Sequence, residues 1–191
     1  MTTAMRRPEP VTVEAFDRFV EAQADTALFE LVEGVIVMMS NPTETHEQIA
    51  ANIGAPLKLA MDARGCRTYQ GGMRVQRSDD PRDTDKARPD VVVRCGAAGT
   101  RTYITDPLVA IEVLSPSTID TDRGPKLDFY KSLPTVRHIA LVYQDQMRVE
   151  HYRRSEQGFE LDVLKRPEEV LYLEAVEFRI DLARIYFDVT L

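Results

Sequence analysis

Two carboxylates and one amine stand out in this chain: Asp90 at the head of an apolar run, Glu112 inside another, and Lys126 a short way beyond. Glu112 lies in Leu108-Val109-Ala110-Ile111-Glu112-Val113-Leu114, which reads as a buried central strand. An ionised carboxylate held there without a partner costs several kcal/mol, so it needs an opposite charge, a raised pKa or a bound cation. A Glu facing solvent from a one-sided strand, or salt-bridged within the sheet, fits the strand alone equally well. Asp90 follows Arg88-Pro89 and opens the β-branched run Val91-Val92-Val93. If the two strands are neighbours, the acids can converge on a divalent cation. Hard cations such as Mg²⁺ take oxygen ligands of this kind and retain waters for chemistry.

The elements that position these groups are readable in outline. Thr12 caps a helix expected to run to about Ala24, with Val11 stapled onto Phe16. Phe29 to Val32 and Val35 to Met39 form a hairpin turning at Glu33-Gly34. Thr45-His46-Glu47-Gln48 fits a capping box, and Ile49, Ile53, Leu57 and Ala60 recur at helical spacing, with a kink or fresh start expected at Pro56. His46 then stands at a helix N-terminus, where the dipole disfavours its protonation and where it could meet a phosphate or orient a water. Cys66 to Gln70 and Met73 to Arg77 are strand-like, with a bend at Gly71-Gly72, and Ser78 to Ala87 reads as a charged, mobile surface loop. The segment from Asp120 to Ser132 reads as a helix flawed at Gly124-Pro125, which would set Lys126 and Tyr130 on one face. Strands are expected at Val136 to Tyr143, Met147 to Arg153, Phe159 to Leu164 and Leu171 to Phe178, then a terminal helix around Leu182, Ile185 and Tyr186.

Taken together, Phe29-Glu30-Leu31-Val32-Glu33-Gly34-Val35-Ile36, His46, Arg88-Pro89-Asp90, Ile111-Glu112-Val113-Leu114-Ser115-Pro116-Ser117-Thr118, Asp122, Lys126 and Tyr130 resemble the Uma-type restriction endonucleases of the PD-(D/E)-x-K nuclease superfamily. The resemblance implies an α/β (α+β) restriction-endonuclease-like core. That core is a mixed central β-sheet flanked by helices, with an N-terminal helix and hairpin and a C-terminal β-hairpin extension. It further implies Asp90, Glu112 and the Val113 carbonyl as ligands of Mg²⁺, with Mn²⁺ able to substitute, Glu30 turned toward the site, His46 beside it, and Lys126 as the catalytic amine. The superfamily pattern sets its lysine two positions after the Glu; here that position is Leu114, and the lysines are residues 58, 86, 126, 131 and 165. The implied activity is metal-dependent phosphodiester hydrolysis in nucleic acid, most simply DNA, by a homodimer that cuts both strands. A nuclease fold kept only for binding nucleic acid or protein, and a hydrolase acting on another phosphodiester, stay open.

Length and charge frame these readings. At 191 residues the chain accommodates one domain, drawn at residues 11–191 after a disordered tail at residues 1–10. A net charge of -7 argues against coating nucleic acid by bulk electrostatics, although Arg64, Arg67, Arg74, Arg77, Arg82, Lys86, Arg88 and Arg94 make one stretch rich in cations. Those cations are interleaved with acids, and a solvated mixed-charge surface suits them equally. Cys66 and Cys95 show no metal-ligand spacing and no disulfide framework. With no membrane-length apolar run and no signal-peptide pattern, a reduced, cytoplasmic protein without membrane association is expected.

Overall fold

What covers β8 (Val109–Leu114) accounts for its near-continuous aliphatic sequence: all six residues are buried, and both faces are packed. Val109, Ile111 and Val113 meet Ile49, Ile53, Leu57 and Met61 of α2 (Glu44–Asp62), while Ala110 and Leu114 lie in a second cluster with Leu127, Phe129 and Tyr130 of α4 (Leu127–Ser132). Alternation along the strand thus delivers Glu112 to the α4 side.

The computed structural model describes residues 9–23 and 27–191. Six strands form the main sheet in the order β11 (Gly158–Leu164), β10 (Val149–Ser155), β9 (His138–Tyr143), β8, β6 (Val91–Cys95), β3 (Cys66–Gln70). Its β8–β9 pair is parallel and the remaining pairs are antiparallel, so the sheet is mixed. A second sheet runs β2 (Val35–Met38), β1 (Phe29–Val32), β5 (Lys86–Ala87), β4 (Arg74–Gln76), β7 (Tyr103–Ile104). Val75, Ala87 and Ile104 from that sheet close the α4-side cluster. On the other face, α2 is joined by the β12 (Val170–Leu173)–β13 (Phe178–Asp181) hairpin and α5 (Leu182–Ile185). A small cluster of Val13, Phe16, Phe29 and Leu31 seats α1 (Val13–Glu21) on the β1–β2 hairpin.

Several sequence expectations are corrected. The expected end of α1 at Ala24 and most of the tail at residues 1–10 lie outside the described residues, and α1 itself closes at Glu21. Thr43 rather than Thr45 caps α2, its hydroxyl accepting the His46 N–H at 3.1 Å, and the helix passes Pro56 without a fresh start. The charged loop ends in β5, whose Lys86 is buried because Asp17 of α1 pairs with its ammonium at 2.7 Å. Upstream, the Asp83, Pro81 and Thr84 carbonyls accept N–H groups from Val13, Glu14 and Gly34 and tie the loop down. The single strand expected over Leu171 to Phe178 is two, separated by a 3-10 turn (Glu174–Val176). Cys66 and Cys95 stand directly opposite one another on β3 and β6 and are joined as a disulfide. Among the described residues no helix is long and apolar enough to cross a membrane.

Candidate active site

The helical segment after β8 breaks into α3 (Ile119–Thr121), a π-helical turn (Asp122–Lys126) and α4, with Gly124 in a non-helical conformation ahead of Pro125. This break aims Lys126 back at β8. Its Nζ lies 2.9 Å from Glu112 Oε1, 2.9 Å from Asp122 Oδ1 and 3.2 Å from Glu30 Oε2. All four side chains are no more than 4% exposed. One turn on, Tyr130 donates its hydroxyl proton to Glu112 Oε1 at 2.6 Å, so the expected shared face of Lys126 and Tyr130 is present and points at the acid. Lys131 turns away, its ammonium lying over the Tyr152 ring at 4.4 Å.

The register that pairs Val91 with Ile111 and Val92 with Ala110, continued by one residue, sets Asp90 against Glu112. Asp90 Oδ2 accepts the Val113 N–H at 2.7 Å and lies 3.2 Å from His46 Nε2. Glu30 reaches the same space from β1, and its Oε2 also accepts the Arg88 backbone N–H at 3.2 Å.

Burial pushes the Glu112 carboxyl well above its ordinary pKa; Lys126 opposes the shift, and the neighbouring Asp122, Asp90 and Glu30 add to it. Burial disfavours the charged Lys126 ammonium, but Glu112 and Glu30 outweigh burial and hold it protonated well above 10.5. For His46, burial is again the largest single influence and lowers the pKa, yet the hydrogen bond and charge of Asp90 prevail and the net shift is upward. The helix dipole alone suggested the opposite direction.

Glu30, His46, Asp90, Glu112, Val113 and Lys126 all line one cavity of about 380 Å³ at the carboxyl ends of the parallel strands β8 and β9 and the N-terminus of α2. The structure therefore brings every sequence-nominated site residue together. Asp122 and Gln144 also line the cavity and were not nominated as site residues. Asp122 carried a signal in its i, i+4 spacing to Lys126; Gln144, just after β9, carried none. None of the cations of the Arg64 to Arg94 stretch lines the cavity: Arg77 is spent on Asp83 and Asp85, Arg82 on Asp80, and Arg94 on Asp106.

The donor set fits a hard divalent cation. Five carboxylates, from Glu30, Glu47, Asp90, Glu112 and Asp122, line the cavity against one lysine, and the buried Asp122 Oδ1, though beside Lys126 Nζ, has no aligned hydrogen bond. Among the described residues no three His, Cys, Asp or Glu side chains already form a metal cage. A cation here would complete its shell with waters, as Mg²⁺ commonly does.

A mixed sheet flanked by helices, with acids and an amine gathered at one end, is a nuclease-like architecture. The crystal structure of a putative nuclease belonging to DUF820 from Anabaena variabilis matches it with a TM-score of 0.72 at 17% identity, covering 93% of this chain and 98% of that one. At that identity the likeness speaks to the fold alone. The family model described as Uma2, putative restriction endonuclease, matches residues 13–183, and the chain belongs to that family. Two proteins of Synechocystis sp., named as uncharacterized proteins slr1290 and sll1609, are each 27% identical to it. The first match covers 68% of this chain and 67% of the relative, the second 70% and 76%.

Proposed function

We propose that this protein is a metal-dependent endonuclease that hydrolyses phosphodiester bonds in nucleic acid, with DNA as the substrate. The observation that carries the reading is the cross-strand placement of Asp90 against Glu112 in one cavity, with Lys126 2.9 Å from Glu112. Asp90, Glu112 and the Val113 carbonyl are the groups that would hold Mg²⁺ or Mn²⁺. When bound, the cation supplies Lewis-acid stabilisation of charge on phosphate oxygens and acidifies water.

The chain's own residues set the rest. Tyr130 fixes the Glu112 carboxylate through Oε1, and the Val113 N–H and His46 fix Asp90 through Oδ2. Lys126, held protonated by its carboxylate neighbours, acts as a fixed positive charge that offsets charge growing on the phosphate. It is not a base at neutral pH. Glu30 and Asp122 position the Lys126 ammonium.

The test is incubation of purified protein with single- and double-stranded DNA in Mg²⁺, Mn²⁺ or EDTA. Cleavage is expected in the metals and not in EDTA, and Asp90→Asn is expected to abolish it with the fold unchanged. Full activity in Asp90→Asn would overturn the assignment, and tight binding without cleavage by the parent chain would mark a non-catalytic binding module instead.

A further inference from the structure

The cavity has a neutral wall as well as an acidic one. Thr43, the cap of α2, uses its hydroxyl twice: it accepts the His46 N–H at 3.1 Å and donates to Gln144 Oε1 at 2.9 Å. That second bond fixes the amide. With its oxygen turned to Thr43, the Gln144 NH₂ group is directed elsewhere, and no acceptor for it occurs among the described residues. Gln144 is only 8% exposed, and it lines the cavity together with Ser40, Ser115 and Ser117, whose hydroxyls bond one another at 3.0 to 3.2 Å. The Gln144 Nε2 atom opens to the cavity rather than lying sealed in the core, so its donors are free for water or for an acceptor on a ligand.

We propose that Gln144 binds a non-bridging phosphate oxygen of the nucleic-acid strand, a contact that rests on the nuclease reading and deepens it. A phosphodiester offers acceptors only and carries a negative charge. It is repelled by the Glu30, Asp122 and Glu112 side of the cavity and complemented by an uncharged donor whose orientation is already set. Tyr143 pairs with Leu114 across β9 and β8, so Gln144 sits beside Ser115, three residues beyond Glu112 on the adjacent strand. With ordinary strand spacings, this places the two backbones roughly 11 Å apart. The phosphate contacted is therefore one flanking the scissile phosphate, and the contact contributes equally before and during the reaction.

Steady-state cleavage of oligonucleotides of several sequences tests this, with the wild-type chain, Gln144→Leu and Gln144→Glu compared in Mg²⁺ or Mn²⁺. Dye-labelled oligonucleotide binding in EDTA, followed by anisotropy, runs in parallel. Gln144→Glu keeps the shape and can still accept from Thr43, so it guards against a folding defect in the leucine variant. The expected result is a KM or Kd raised about tenfold in Gln144→Leu and more in Gln144→Glu, uniform across sequences, with kcat within twofold. Because no charge is removed, the salt dependence of binding stays the same in Gln144→Leu. Unchanged KM and Kd in both variants, while the wild type still cleaves, overturns the Gln144 contact and leaves the nuclease reading standing. Loss confined to particular sequences also overturns it, since that is the mark of a base contact. A wild-type chain that neither cleaves nor binds any oligonucleotide sinks both.

Discussion

One ammonium serves three buried carboxylates around Lys126, and that imbalance governs how the site responds to substitution. Its pKa, raised despite burial, means its stabilising contribution is complete below pH 10.5 and is lost only as pH rises through the raised value. Across the neutral range it is constant. Lys126→Met would leave Glu30, Glu112 and Asp122 facing one another without a counter-charge, and removing one partner of a buried ion pair costs about 3–5 kcal/mol. For a chain of this size the melting temperature should drop by roughly 10 °C at pH 7. The deficit should shrink at pH 5, because the Glu112 carboxyl, already pushed well above its ordinary range by burial, is there favoured in its protonated form. Equal deficits at both pH values would show that the carboxylates are not the cause. Tyr130→Phe tests the other contact on Glu112: losing the 2.6 Å bond frees the acid to rotate, and any metal-dependent turnover should fall about tenfold with melting shifted by only a few degrees. Unchanged turnover would deny Tyr130 its positioning role.

The β1–β2 hairpin is the element that carries Glu30 inward, and its turn has no slack. Glu33 and Gly34 both have positive φ, at 47° and 74°, and a Cβ on Gly34 would stand 2.3 Å from Pro10 Cβ and 2.8 Å from its Cα. Gly34→Ala meets backbone strain and a close approach at once, and should cost about 1–3 kcal/mol. Denaturant melts should register that loss, and turnover should decline with the displacement of Glu30; a neutral effect on both would mean that the N-terminal segment yields easily. This hairpin was legible in the sequence because its signals are local: two apolar runs and a Glu-Gly turn. So was β8, whose burial on both faces is written in its composition, and so were the positions of Asp90, Glu112 and Lys126 on their elements. What escaped depends on partners distant in the chain. Lys86 reads as a loop residue until Asp17 of α1 is set beside it. Cys66 and Cys95 become neighbours only through the β3–β6 register. The second half of the β12–β13 hairpin is entered through Glu177 at positive φ, where no glycine marks the turn. Gln144 lacks any local signal, because its importance comes from Thr43, which precedes it by 101 residues.

At the scale of the molecule, the main sheet is joined to the β12–β13 layer through a pair of buried histidines. The Ala175 N–H donates to His138 Nε2 at 3.0 Å, so that nitrogen is unprotonated and Nδ1 carries the hydrogen, which it offers to His151 Nε2 at 3.0 Å. Neither ring has room for a second proton on these atoms. A proton on His138 Nε2 would face the Ala175 N–H, and one on His151 Nε2 would face the His138 N–H. Burial lowers the pKa of both to about 4, with Arg153 adding to it and Asp162 partly opposing it at His151. The unfolded chain binds these protons from pH 6.5 downward and the folded chain does not, so this contribution is complete above pH 6.5 and is lost as pH falls toward 4. His46, the third histidine of the chain, has a raised pKa and works in the opposite sense. Its contribution is complete below pH 6.5 and is lost as pH rises through the raised value. Glu112, whose carboxyl burial pushes well up, works in the same sense as His46, so the share of the histidine pair is read from the difference between the wild type and a variant that lacks it. Replacing both buried histidines, as in His138→Asn with His151→Leu, removes the two opposing groups and leaves His46 as the histidine that titrates. The double variant should start from a lower melting temperature at pH 7 and lose less of it on acidification. A double variant that loses as much of its melting temperature between pH 7 and pH 5 as the wild type does would separate the histidine pair from the acid response of the fold.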